Sequence, residues 1–174
     1  MRETAKQYTE RILGYSEGKD ALAVQSATAK KLTALTNGLS KGQLRRSHAA
    51  GKWSIAQILA HLADAEVVLG WRLRQVLSSN GTTIQPFEQD VWAEIFQYTH
   101  SDPNESLDLF RALRAANLAL LKRVPKKLWS NYGMHHERGK ETVDHMVRMI
   151  AGHDLNHLRQ IEDIVKRSRS KRAA

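Results

Sequence analysis

The chain contains no cysteine, which excludes a disulfide framework, a thiolate metal ligand and a cysteine nucleophile. Any metal must be held by histidine and carboxylate. Proline is scarce, with three in 174 residues, and no Asn-Gly pair is flanked by the alternating apolar residues that mark a hairpin. With abundant Ala, Leu, Arg, Lys, Gln and Glu, these shortages predict an all-α protein. No run of about 18 apolar residues occurs, and the opening MRETAKQYTE lacks the apolar stretch of a signal peptide. The expectation is a soluble, cytoplasmic chain with no membrane partner. A length of 174 residues suits one domain with one sizeable core, placed at residues 1–165.

Acidic residues are missing from the C-terminal end. The formal charge is +9, but Lys166, Arg167, Arg169, Lys171 and Arg172 supply five of these charges without an acidic neighbour, leaving residues 1–165 at +4. Residues 166–174 read as a basic tail, disordered or a frayed helix end. No aromatic residues interleave with it to stack on bases, so nucleic acid is not an expected partner.

What is present is concentrated in Thr142 to Val165, TVDHMVRMIAGHDLNHLRQIEDIV. Read as a helix, its Val143, Met146, Val147, Ile150, Leu158, Ile161, Ile164 and Val165 form one apolar stripe. His153, Asp154 and His157 fill the middle of that stripe. Side chains at i and i+4 lie one above the other, so the two imidazoles point the same way. Buried imidazoles need partners for their nitrogens. A metal ion partners both at once; alternatively, one ring packs while the other bonds a backbone carbonyl. A third ligand elsewhere would favour the metal.

A lead-in helix is expected over Glu3 to Tyr15 and a longer one over Ala21 to Leu35, stopped at Asn37-Gly38. Leu39 to Lys52 reads as a connection containing an exposed His48. Ser54 and Gln57 form a capping box behind Trp53, opening a helix to about Leu77 with Ile55, Ile58, Leu59, Leu62, Leu69, Leu73, Val76 and Leu77 inward. Glu66 lies on this apolar face and requires a cationic or metal partner, as a structural ion pair or as part of a site. His61, on the flank, is the natural third ligand. Ser78 to Phe87 reads as the long break, and Glu88 to Gln97 as a short helix across the bundle end. Asp102 as N-cap with Pro103 after it opens a helix whose stripe contains Asn117, a core residue or a pocket wall. Lys126 to Lys140 reads as an irregular connection. Within it His135 and His136, being adjacent, are poor joint ligands and at most border a cleft. Four long helices with one extended crossover make a four-helix bundle, where cofactor sites sit between facing helices.

Lys52-Trp53-Ser54, the run His61-Leu62-Ala63-Asp64-Ala65-Glu66, Thr83-Ile84-Gln85-Pro86-Phe87 and Gly152-His153-Asp154-Leu155-Asn156-His157-Leu158-Arg159-Gln160-Ile161 together resemble the DinB-like superfamily. The resemblance spans about residues 20–165. It is closest to the YfiT branch, which includes bacillithiol transferases and proteins labelled metal-dependent hydrolases; the DNA polymerase sharing the DinB name is unrelated. It implies a DinB/YfiT-like four-helix bundle, a homodimer, and a divalent metal, nickel or zinc, on His61, His153 and His157. Three neutral imidazoles with open positions fit a catalytic metal better than a closed structural one. Asp154, Asp64 or Glu66 could orient a ligand ring. The expected activity is transfer of a low-molecular-weight thiol, as thiolate, to a small electrophile, or hydrolysis, with the metal lowering the pKa of thiol or water. Glu66 and His135 are weak candidates for a general base. The alternative is a non-catalytic metal-binding stress-response module.

Overall fold

In the computed structural model, residues 3–173 are described. The helices are α1 (Ala5–Ser16), α2 (Ala21–Thr36), α3 (Lys41–Arg45), α4 (Ile55–Ser78), α5 (Gln89–Ile95), α6 (Pro103–Arg123) and α7 (Val143–Ala173). Their starts follow the local chemistry. The Ser54 hydroxyl accepts from the Gln57 amide while the Gln57 side chain accepts from the Ser54 amide, satisfying two donors that a helix start leaves open. Asp102 caps α6 ahead of Pro103, whose missing N–H costs nothing at that position. Asn37 ends α2, and Gly38 follows at φ 75°, a backbone conformation that glycine adopts without steric cost.

The bundle is made by α2, α4, α6 and α7. Helix α4 packs on α6 and α7, and α2 packs on α6 and α7. Consecutive α2 and α4 are therefore diagonal, and so are α6 and α7. This places α4 and α7, which carry the three candidate ligands, side by side. One core cluster includes Leu32, Ile58, Leu62, Phe110 and Ile161, and the other includes Leu73, Val76, Leu121 and Val147. Apolar area removed from water at these positions is the main stabilising term. No helix among the described residues is long and apolar enough to cross a membrane.

Three expectations for the connections are corrected. The break after α4 contains β1 (Thr82–Ile84), and the supposedly irregular stretch after α6 contains β2 (Tyr132–His135) and β3 (Gly139–Thr142). These form a sheet ordered β1-β2-β3, with β1 parallel and β3 antiparallel to β2. Each strand is three or four residues long, too short for alternation to be read from sequence. The connection Leu39 to Lys52 likewise hides α3, capped by Ser40 and anchored by buried Leu44. The bundle remains the fold, with the sheet as a small addition at one end. The backbone of α7 runs through the basic segment to Ala173, while the side chains of residues 169–174 lie outside the described residues.

Helix α1 lies against α7 where Gly152 faces Ile12. A Cβ at position 152 would sit 1.9 Å from the Ile12 carbonyl oxygen, and a backbone atom cannot rotate aside. Gly152→Ala gains about 1 kcal/mol of helix propensity, but the overlap forces α1 away and costs roughly 1–3 kcal/mol or more. The expected outcome is a lower urea midpoint; a raised midpoint would show that α1 does not dock there.

Candidate metal centre

The three imidazoles meet between α4 and α7. His61 Nε2 lies 2.9 Å from His153 Nε2, which lies 3.1 Å from His157 Nε2. Their exposures are 1%, 8% and 6%. The donor atoms of all three lie within 4.8 Å of one another, close enough to share one ion. His61, placed from sequence on the flank of α4, is thus brought to the pair on α7.

The donor chemistry fits a cation. Gln160 Oε1, an acceptor, is 2.9 Å from His157 Nδ1, so the proton of that neutral ring sits on Nδ1 and Nε2 presents a lone pair. His153 Nε2 faces two other ring nitrogens, and a single proton there cannot serve both contacts fully. A cation where the three Nε2 atoms converge accepts all three lone pairs. Burial lowers the pKa of all three rings. That of His153 falls to about 4, with nearby Arg114 adding to the effect of burial. Those of His61 and His157 fall well below the ordinary value, first by burial and then by the neighbouring imidazoles. The rings are therefore neutral, the form that ligates metal.

These shifts carry a sign. The unfolded histidines take up protons near pH 6.5, whereas the folded ones resist until lower pH, so below 6.5 the unfolded state binds more protons. In the metal-free protein, stability is expected to be complete above about pH 6.5 and to fall as pH drops toward 4, the value to which burial lowers both His153 and His135. Urea midpoints at pH 7.5, 6 and 5 should decrease in that order; a flat series would contradict the buried neutral rings.

Aromatic walls complete the setting. Phe87 stacks on His61 with centroids 5.9 Å apart and planes 4° from parallel, and Trp53 meets the same ring in a tilted contact at 5.1 Å. These rings give a physical role to the Trp-Ser and Pro-Phe pieces of the sequence pattern. A cavity of about 640 Å³ reaches His61 and His153 and is lined also by Phe87, Arg72, Arg138 and Glu141.

The residues expected to orient the ligands are engaged elsewhere. Arg114 donates to both oxygens of Asp154 at 2.6 and 2.9 Å and to Glu66 at 2.8 Å. Asp154 also accepts from the Thr28 hydroxyl, and Asn117 donates to Glu66 at its backbone and side chain. Burial opposes the charge on Arg114, but Asp154 and Glu66 outweigh it and raise its pKa. Asp64 accepts from the Tyr98 hydroxyl. The one carbonyl or carboxylate acceptor on a ligand ring among the described residues is that of Gln160, while His61 Nδ1 and His153 Nδ1 have no partner. Asn117 therefore belongs to a structural network rather than to the cavity wall. Glu66, held by Arg114 and Asn117, is not free to act as a base.

His135 is also corrected. It is 3% exposed in β2, where its Nδ1 accepts from the amides of Glu137 and Arg138 in the β2–β3 turn. It is a turn-capping residue, absent from the residues lining the cavity. His136 and His48 are exposed.

A model described as the DinB superfamily matches residues 26–161. "Putative metal-dependent hydrolase OB0782" from Oceanobacillus iheyensis is 29% identical over 130 residues, covering 74% of each chain. "Putative metal-dependent hydrolase YfiT" from Bacillus subtilis is 25% identical over 154 residues, covering 87% of this chain and 86% of its own. The solved structure of B. subtilis YfiT, described as an unusual four-helix bundle topology, matches with a TM-score of 0.79 at 21% identity, over 97% of this chain and 92% of that one.

Proposed function

Because the chain belongs to the DinB superfamily, we propose that its three-histidine centre makes it a metal-dependent enzyme that activates a small nucleophile, a low-molecular-weight thiol first and water second, against a small-molecule electrophile. The observation carrying this reading is the convergence of three buried, neutral imidazoles on one point reached by a cavity. A divalent metal held there, nickel or zinc, supplies Lewis acidity that lowers the pKa of thiol or water. Gln160 holds the His157 tautomer, and Trp53 and Phe87 pack against the His61 ring.

Thiol transfer is favoured over hydrolysis by the neighbouring carboxylates. Glu66 and Asp154 are tied to Arg114, and Glu141 to Arg138, so none of these three buried carboxylates is free to take a proton from water, and Glu88, Asp90 and Glu137 are exposed at the cavity rim. A thiol, with an ordinary pKa near 8.5, needs less help. Hydrolysis is kept as the second reading by the names of the Oceanobacillus and Bacillus relatives. The homodimer implied by the resemblance and the cytoplasmic setting read from the sequence belong to the same proposal.

The test is to incubate metal-loaded and metal-stripped protein with an alkylating electrophile and a panel of small thiols, then with a panel of esters. Thiol loss matched by electrophile loss, only with metal, is expected. Tight metal binding without turnover of either panel would leave the non-catalytic metal-binding reading in its place.

A further inference from the structure

One wall of the cavity holds a cation with no carboxylate in direct ion-pair contact among the described residues. Arg72 lies eleven residues beyond His61 on α4, which returns it to nearly the same helix face, roughly 16 Å along the axis by Cα position. Long helical side chains lean back toward the N-terminus, and Arg72 lines the same cavity as His61 and His153. Its hydrogen bond goes to the Gln85 carbonyl at 2.5 Å. No carboxylate lies within ion-pair distance of it among the described residues. A guanidinium has five N–H donors, so most of its donor capacity is left for a ligand.

The surroundings accentuate this charge. Arg138, which also lines the cavity, bonds Glu141 at 2.6 and 3.2 Å, so the one buried carboxylate there is already engaged. Burial and the like charge of Arg138, partly offset by Glu141, depress the Arg72 pKa to about 10, which still leaves it charged at neutral pH. Other acids on the lining are differently placed: Glu3 is paired with Arg11, and Glu88, Asp90 and Glu137 are exposed at the rim.

We propose that Arg72, assisted by Arg138, binds an anionic group of the substrate, a carboxylate in the first instance, and thereby positions the reacting end at the histidine centre. Arg–carboxylate pairing is planar and two-pronged, which fixes orientation as well as adding affinity. The inference rests on the small-molecule reading of the cavity, yet the anion site exists independently of any metal. Arg72 acts here as a binding and specificity residue.

Three probes separate the possibilities: mercaptosuccinate, 2-mercaptoethanol and succinate, titrated calorimetrically into wild type, Arg72→Gln and Arg72→Lys, with metal content measured in parallel. Wild type should bind mercaptosuccinate at least tenfold more tightly than uncharged 2-mercaptoethanol. Arg72→Gln should erase that preference while keeping the metal content and 2-mercaptoethanol affinity of wild type. Arg72→Lys, retaining the charge without the fork, should keep part of it. If the metal reading fails and neither thiol uses a metal, succinate should still bind wild type and lose affinity in Arg72→Gln, which would support the anion site alone. Equal affinity for charged and uncharged thiols in wild type, or an undiminished preference in Arg72→Gln, would overturn the proposal.

Discussion

Arg114→Met is expected to destabilise the fold by roughly 3–5 kcal/mol, the usual cost of stranding a buried charge by removing its partner. The side chain is 3% exposed and bonds Asp154 on α7, Glu66 on α4 and the Gln25 carbonyl on α2. Three helices of the bundle thus share one guanidinium. Methionine preserves much of the volume but leaves two carboxylates facing each other without a cation, and such a pair must take up protons or admit water. A loss of this size is a large fraction of the ~5–15 kcal/mol stability of an ordinary domain. Combining Arg114→Met with Glu66→Gln and Asp154→Asn removes the stranded charges and should recover much of the loss. A urea midpoint in Arg114→Met close to that of wild type would show that this network is not what joins the helices.

His157→Ala is expected to abolish stoichiometric divalent-metal binding while leaving the helical circular-dichroism signal largely intact. The ring sits at a junction where its Nε2 meets His153 Nε2 at 3.1 Å, so its loss leaves two nitrogens from two helices to hold an ion. Two imidazoles do not complete the three-ligand set of an open catalytic centre. Truncation opens a cavity in a bundle held elsewhere by two apolar clusters, a cost of a few kcal/mol by analogy with other core truncations. Gln160→Leu is the milder counterpart. It removes the acceptor that fixes the His157 tautomer and should weaken metal binding about 10–100-fold. Full occupancy in His157→Ala would place the ion elsewhere.

The parts of the structure legible in the sequence are those governed by local rules. The stripe of α7 with its polar interruption, the Ser54 and Asp102 caps, and the Asn37-Gly38 stop each depend on residues within one or two turns. His61 is legible because the ligand pair on α7 requires a third ligand from a neighbouring helix and His61 flanks the apolar face of α4. The sheet was not, because β1 pairs with a strand some fifty residues later, and three-residue strands carry no usable period. Arg114 was missed although it falls between Phe110 and Asn117 on the inward face of α6. A cation in that position was the partner Glu66 demanded, and its spacing in the stripe was the available signal. The role of Gln160 is that of acceptor for His157 Nδ1. Its place three residues after His157 puts it within reach on the same helix face, which was sufficient to suggest the hydrogen bond. The assignment of Asp154 to a ligand ring failed because neighbours in sequence point in different directions on a helix, and Asp154 turns to Arg114 and Thr28 instead.

Elemental analysis of the dialysed protein, after loading with nickel or zinc, tests the three-histidine centre most directly, with a chain carrying His61→Ala, His153→Ala and His157→Ala as the reference. One tightly held ion per wild-type chain and none in the reference is the predicted result. Equal metal content in the two, or no retained ion in wild type, would contradict it.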